Sequence, residues 1–348
     1  MWLERVSLRN VRCFKRYDID LNPRLTLITG RNGSGKSTIL EAVHVLGTAR
    51  SFRTGTVRDL IPWNEVAFSI RGTVSCAQSQ DHIHIAYSGH EKSVTINDIP
   101  QTSRRELSRI LPVVSVSEED MQLIQGYPES RRLFLDHSAT MLDPAHRERL
   151  LMYHHVARQR TALILQRVAR NNEDLKIWTE KLYDLSTSIR RARRHALQRI
   201  EEEITILHEA GGVPAIQCTY NHEEEVTAES WIAQHYDAEM RMKRNLAGAH
   251  RDDCIITIAA SGTTARRFES RGMQKLLVLA LKIAHVRLSN GGILLLDDII
   301  SDFDDERFSI VVQLLNYVQA QKIITSPLLS DTRGEQLVKM CEGKSVPL

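Results

Sequence analysis

A chain of 348 residues that is 42% hydrophobic can bury one large core or two smaller ones, and its composition gives no sign of disorder. The longest apolar runs, Leu276 to Leu281 and Ile293 to Leu296, are far too short for a membrane span, and five scattered cysteines (Cys13, Cys76, Cys218, Cys254 and Cys341) lack zinc-site or disulfide-framework spacing, so a soluble cytoplasmic protein is expected. The net charge of +3 is unevenly spread, with 11 Lys/Arg against 5 Asp/Glu in residues 1–60 and 5 against 9 in residues 291–348, which makes nucleic acid a candidate partner beside the plainer reading of a solvated surface.

Leu25 to Thr29 predicts a short apolar strand, and Lys36 to Leu46 predicts a helix with Ile39, Val43 and Leu46 on one face and Gly47 as its left-handed end. Between them Gly30-Arg31-Asn32-Gly33-Ser34-Gly35-Lys36-Ser37, continued by Thr38, matches the P-loop pattern in the strand-loop-helix setting it requires. Its glycines let backbone N–H groups converge on phosphate oxygens, Lys36 sets a cation against the β and γ phosphates, and Ser37 is suited to ligate Mg²⁺. The expected ligand is ATP with Mg²⁺. A glycine-rich loop without a ligand is the weaker alternative, since a chance match is on the order of a per cent.

The alternation from Val66 to Val74 predicts a half-buried strand, and Ile83, Ile85 and Tyr87 followed by Val94 and Ile96 predict a hairpin turning near Gly89. Asp143-Pro144 then opens a helical stretch reaching Ala210, broken near Asn171-Asn172. Its first helix, Pro144 to Arg170, would be about 40 Å long. It carries Arg147, Arg149, Arg158, Arg160, Arg167 and Arg170 against Glu148, which predicts a strongly positive face. Gly211-Gly212-Val213-Pro214 predicts a linker, followed by a strand-rich stretch to Ser270. Three segments result: 1–142 and 213–348 as parts of one head, and 143–212 as an Arg-rich helical arm.

Gly272 to Leu288 is apolar nearly all round, so a deeply buried helix is expected, ended by Gly291-Gly292. Ile293 to Leu296 then predicts a central strand delivering Asp297 to the metal's shell and Asp298 to orient a water for hydrolysis. Alone, such a strand is structural about half the time; beside a P-loop the functional reading dominates. His154 and His155 are expected on the surface, and no role for His250 follows from its surroundings in the sequence.

Roughly 260 residues separate Lys36 from Asp297, more than a compact kinase or GTPase needs, so an inserted module is expected. The layout resembles ATP-binding-cassette heads of the chromosome-maintenance and repair type, which close as dimers around two ATPs, each γ-phosphate meeting the signature motif of the opposite subunit. Six blocks, in order, are similar to the bacterial RecF family: Leu8 to Phe14, the P-loop, Gly47 to Arg53, Gly126 to Asp136, His250-Arg251-Asp252-Asp253, and Leu295 to Asp304. The resemblance covers essentially the whole chain. It implies an α/β fold, an ABC-type P-loop ATPase head with an antiparallel β lobe and an inserted helical arm.

By the same resemblance, Ser270 and Gly272 belong to the signature, Ser301-Asp302-Phe303-Asp304 to a loop meeting the other subunit or equally to a helix N-cap, and Thr325 to the place where many such heads put a histidine facing the γ-phosphate. Lys36, Asp298 and Thr325 are thus the expected catalytic residues. Implied partners are gapped, single-stranded or junction DNA bound without sequence preference, an ATP-dependent second copy, and the RecO and RecR mediators that help load RecA, with a link to SOS induction. Weak DNA-stimulated ATPase activity is expected. The chain also departs from the family: Ser270-Arg271-Gly272-Met273 stands for Ser-Gln-Gly-Gln, Gly248-Ala249-His250 for Gly-Pro-His, and Val116-Ser117-Glu118-Glu119-Asp120 for Phe-Ser-Pro-Glu-Asp. Arg271 adds a cation and Met273 removes an amide, so a RecF-like binder with little hydrolysis is one alternative; a phosphotransferase acting on a small molecule is another, and a transporter-energising subunit is disfavoured by the spacing.

Overall fold

A computed structural model describes residues 1–54, 56–76, 79–89, 91–103, 105–222, 227–267, 270–289, 291–298, 303–327, 331–340 and 343–348. The chain forms two compact units, one of Met1–Asp120, Gly211–Val213 and Ser270–Leu348, the other of Met121–Ala210 and Pro214–Glu269.

The first unit holds two sheets. Strands β1 (Trp2–Val11), β2 (Phe14–Asp20), β4 (Ala67–Cys76), β5 (Ser79–Ser88), β6 (Glu91–Ile96) and β7 (Ile99–Pro100) form an antiparallel sheet in the order β2-β1-β4-β5-β6-β7. Alternate side chains such as Phe68, Ile70 and Val74 point into its core, as period-two patterning requires. The second sheet, in the order β13-β3-β12-β11-β8, is built from β3 (Leu25–Thr29), β8 (Val113–Val116), β11 (Ile293–Leu296), β12 (Gln321–Ser326) and β13 (Lys344–Pro347), all parallel. Its central strands are buried along both faces, which explains the unbroken apolar run Ile293 to Leu296. The buried Gln321 amide joins the sheets, accepting from Leu3 N–H at 2.8 Å and donating to the carbonyls of Leu3 and Asn22 at 2.8 and 2.9 Å.

Helices α1 (Lys36–Thr48), α2 (Arg105–Ile110), α8 (Arg271–Leu288), α9 (Asp305–Tyr317) and α10 (Asp331–Met340) complete this unit. Gly47 lies inside α1 and does not end it; the left-handed residue is Ala49, at φ 52°. What fixes glycine at 47 is proximity, because a Cβ there would sit 2.5 Å from the Leu111 carbonyl. Gly89, at φ 66°, turns the β5–β6 hairpin as expected.

The second unit contains α3 (Gln122–Gln125), α4 (Pro128–Leu142), α5 (His146–Leu165), α6 (Glu173–Glu209), α7 (Ala228–Met242) and the pair β9 (Ile216–Asn221) and β10 (Asp253–Ile258). It differs in extent from the expected arm of 143–212, because α4 and the β9–β10 pair are tied to α6 by buried ions. The stretch expected to be strand-rich also contains a full helix, α7. The expected first helix is shorter: α5 stops at Leu165, Arg167 turns left-handed at φ 54°, and the Asn172 side chain caps α6 by accepting from Leu175 N–H at 2.9 Å.

Part of the expected positive face is taken up by ion pairs within the unit. Arg160 is fully buried and bidentate to Glu239 at 2.8 and 2.7 Å, Arg149 pairs with Asp143, and Arg170 pairs with Asp237 at 2.9 Å. Arg147 and Arg158 remain exposed on α5, as do Arg167 and Arg170 beyond its end, Arg170 in a surface pair with Asp237.

Candidate nucleotide-binding site

In a parallel sheet every strand ends on the same edge, so the loops after β3, β11 and β12 emerge side by side, where open α/β sheets bind ligands. The loop after β3 is Gly30 to Gly35, leading into α1. Gly33 and Gly35 hold φ values of 83° and 105°, backbone that other residues enter only at a cost. A Cβ on Gly35 would also strike the Phe14 ring at 2.5 Å, so the turn between β1 and β2 presses directly on the loop. The Lys36 ammonium is folded back on the loop, donating to the Gly30 and Arg31 carbonyls at 2.9 and 3.2 Å. The first N–H groups of α1 have no partner within the helix, and with that cation they form a cradle for anionic oxygens.

The ends of β11 and β12 meet this cradle. Ser37 Oγ donates to Asp297 Oδ1 at 2.8 Å, and Thr325 Oγ1 donates to the same oxygen at 2.8 Å. Asp298 takes a left-handed backbone, φ 51°, and its N–H donates to Thr325 Oγ1 at 3.0 Å. Thr325 therefore acts as a pin between the two carboxylate-bearing residues. A hydroxyl and a carboxylate so close are hard oxygen donors that fit Mg²⁺, which commonly takes one or two protein oxygens and completes its shell with phosphates and water. Among the described residues no group of three or more His, Cys, Asp or Glu forms a denser metal cluster.

Ser270 and Gly272 have their contacts elsewhere. Ser270 caps α8 without a side-chain bond to its own helix and receives Arg307 Nη2 at 3.5 Å, while a Cβ on Gly272 would come within 3.3 Å of Arg307 Cδ. Asp304 caps α9, accepting from Arg307 N–H at 2.8 Å. The Ser301 and Asp302 positions lie outside the described residues. Arg271 and Glu118, two departures from the family pattern, form an ion pair with each other.

A family model described as RecF/RecN/SMC N terminal domain matches residues 2–341. The chain belongs to this RecF/RecN/SMC family. The DNA replication and repair protein RecF of Clostridium acetobutylicum is 29% identical over 333 residues, covering 92% of this chain and 91% of the relative. A solved structure of the recombination mediator protein RecF with ATP superposes with a TM-score of 0.82 at 24% identity, covering 95% of this chain and 93% of that one. The Smc head domain of Pyrococcus furiosus, solved with the C-terminal domain of ScpA, superposes at 0.59 with 16% identity over 99% and 93% of the two chains. These similarities support the bacterial RecF reading, and the fold is that of an α/β ABC-type ATPase head.

Two features of this RecF-type chain escaped sequence reasoning. Glu41, fully buried on α1, accepts from Arg12 Nε and Nη2 at 2.6 and 2.8 Å and from the Ser51 hydroxyl, so it anchors the β1–β2 turn that covers Gly35. Its one sequence signal is an acid on the apolar stripe of a helix. The second feature is the His250-Arg251-Asp252-Asp253 block, which is structural glue for the second unit. Asp252 accepts from Arg190 Nε at 3.0 Å and from the Tyr220 hydroxyl at 2.8 Å, and Arg131 is bidentate to Asp253 at 2.8 and 3.0 Å.

Arg193 is likewise bidentate to Asp136, at 2.7 and 2.8 Å, and also donates to the Ala249 carbonyl at 2.7 Å. Burial alone would push the Asp136 carboxyl up, but hydrogen bonds from Arg193 and His146 win and hold it below the usual range. Tyr153 gives His250 its place: the hydroxyl accepts the His250 N–H at 3.1 Å and shares a 2.6 Å hydrogen bond with Nδ1. Burial, with Arg251 and Arg132 nearby, lowers the His250 imidazole, while burial raises the Tyr153 phenol to about 12.

Proposed function

We propose that the chain is an ATP-dependent DNA-binding protein of recombinational repair and replication-gap processing. The observation that carries this reading is the convergence of Ser37, Asp297 and Thr325 beside the Lys36 cradle, in a chain whose relatives include RecF proteins of DNA replication and repair. ATP would occupy Gly30 to Thr38, and Ser37 with Asp297 would hold Mg²⁺, whose charge helps neutralise the phosphates. Lys36 then exchanges its two carbonyl contacts for phosphate oxygens. Asp298 orients the attacking water, and Thr325 holds the Asp297 carboxylate and the Asp298 main chain in register. Ser270 and Gly272, turned toward Arg307 in their own chain, serve the nucleotide of a second copy.

In this reading ATP closes two copies, the closed dimer grips DNA phosphates, and slow hydrolysis releases it. Such contact is largely indifferent to sequence and weakens as salt rises. RecO and RecR are its mediators, RecA loading and SOS induction its consequences, and the cytoplasm its compartment; among the described residues no helix is long and apolar enough to cross a membrane. The Arg271–Glu118 pair favours one variant of this reading, an ATP binder with little turnover, since it places a cation at the helix end where the family has an amide.

The test is sedimentation with and without ATP, with a duplex carrying a single-stranded gap as the second variable. A dimer that forms only with ATP and retains the gapped duplex is expected. A monomer under every condition, or DNA retention blind to nucleotide, would sink the switch.

A further inference from the structure

Six arginines of the second unit, Arg131, Arg149, Arg160, Arg170, Arg190 and Arg193, each pair with a carboxylate. Against that background one recess stands out. A cleft of about 660 Å³ between α5 and the segment 244–251 is lined by Arg158, Arg244 and Arg251, with no Asp or Glu in its lining. Arg158 and Arg244 are exposed, and among the described residues neither pairs with a carboxylate.

The walls of the cleft are fixed. On one side Tyr153 holds His250 by both main chain and ring, as described above. On the other, Asn245 donates to the Ala157 carbonyl and to Thr161 Oγ1 at 2.8 Å each, and accepts from the buried Arg160 at 2.6 Å. Lys243, at φ 52°, ends α7 just before, so Arg244 is delivered to the rim from an anchored turn. Leu151, 64% exposed, and Ala157 add apolar surface between the cations.

Cations around an apolar, preorganised hollow match a ligand that carries both phosphates and a flat apolar body. The volume falls in the range of small-ligand pockets, about 300–1,000 Å³. A duplex is convex and keeps its bases stacked inside, so it could touch only the rim; an unpaired strand can turn a base inward, where guanidinium planes stack on it. We propose that this cleft seats an unpaired nucleotide of a DNA strand, its base against Leu151 and Ala157 and its flanking phosphates on Arg158, Arg244 and Arg251. The inference rests on the DNA-binding reading above and deepens it, assigning the single-strand contact to residues of the second unit that take no part in the nucleotide site.

The experiment is fluorescence anisotropy of a labelled oligodeoxythymidine and of a blunt duplex of equal length, with wild type and the double variant Arg158→Ala/Arg244→Ala, both residues being exposed. Affinity for the single strand should fall at least tenfold, with a salt slope shallower by about 1.4 for two lost phosphate contacts. Affinity for the duplex and ATP-driven dimerisation should stay as in wild type. Unchanged single-strand binding, or an equal loss on duplex, overturns the proposal. So does binding of a labelled Leu-containing acidic peptide that the double variant loses, when the oligodeoxythymidine itself does not bind, which would make the cleft a protein-docking site. If wild type binds neither ATP nor any DNA, the broader reading fails; if wild type binds both and only the double variant's expected loss is missing, this inference alone fails.

Discussion

Ser37 and Asp297 stand 260 positions apart in sequence, yet a hydroxyl of one and a carboxylate oxygen of the other meet at 2.8 Å. The first opens a helix and the second closes a strand. Parallel pairing of β3 with β12 and of β12 with β11 is what brings the two ends level.

Lys36→Ala removes the cation that folds back on the phosphate loop from the start of α1. Its two carbonyl contacts are replaced by nothing, so the fold is kept while phosphate binding suffers. ATP affinity measured by calorimetry should fall by about a hundredfold, the ~2.8 kcal/mol of a contact to a charged group, and ATP-dependent dimerisation should disappear. An unchanged affinity would mean that the loop does not bind the triphosphate as argued.

Asp298→Asn leaves the backbone undisturbed, because asparagine tolerates the left-handed conformation seen at φ 51°. It removes a base without removing the amide that Thr325 accepts. ATP binding should persist, hydrolysis should drop by about 10²–10⁴-fold, and the closed dimer should outlive that of wild type. Release of DNA at the wild-type rate would contradict the gating scheme.

Thr325→Val keeps volume and deletes the pin. Asp297 loses a donor and the Asp298 N–H loses its acceptor, a cost of about 1–3 kcal/mol for a buried group left unmade. The melting temperature should fall, and the apparent affinity for Mg²⁺ with ATP should weaken. Thr325→Ser should restore both; failure of serine to rescue would assign the effect to packing instead.

Much of this site was legible because its signals are local. Strand, glycine loop and helix follow one another within about twenty residues, and Ile293 to Leu296 advertises a strand buried on both faces. Arg160, Arg190 and Arg193 were not legible, since an arginine on a helix reads as surface unless its partner is known, and the partners here lie 79, 62 and 57 residues away. Gly47 misled for a related reason. Its smallness answers to Leu111, a neighbour that only the fold supplies.

Asp136→Asn tests the buried ion network of the second unit. Because the folded carboxyl titrates below its ordinary value, its contribution is complete above about pH 4 and is lost as pH falls through the lowered value. At neutral pH the variant should lose about 3–5 kcal/mol, the cost of leaving Arg193 without its partner. Its stability, followed by circular dichroism, should also depend less on pH in the acid range than wild type. Equal acid sensitivity in both proteins would remove Asp136 as the cause.

The interleaving of segments in the first unit has a consequence for biogenesis. A ribosome adding about 5–20 residues per second completes the phosphate loop roughly 13–50 s before it reaches the strand that carries Asp297. Throughout that interval β3 lacks its neighbour β12, and its apolar edge is open to mispairing. Newly made chains would therefore depend on being shielded until translation nears its end, and a ribosome stalled inside α6 would leave a nascent product that displays the glycine loop without the ability to close it.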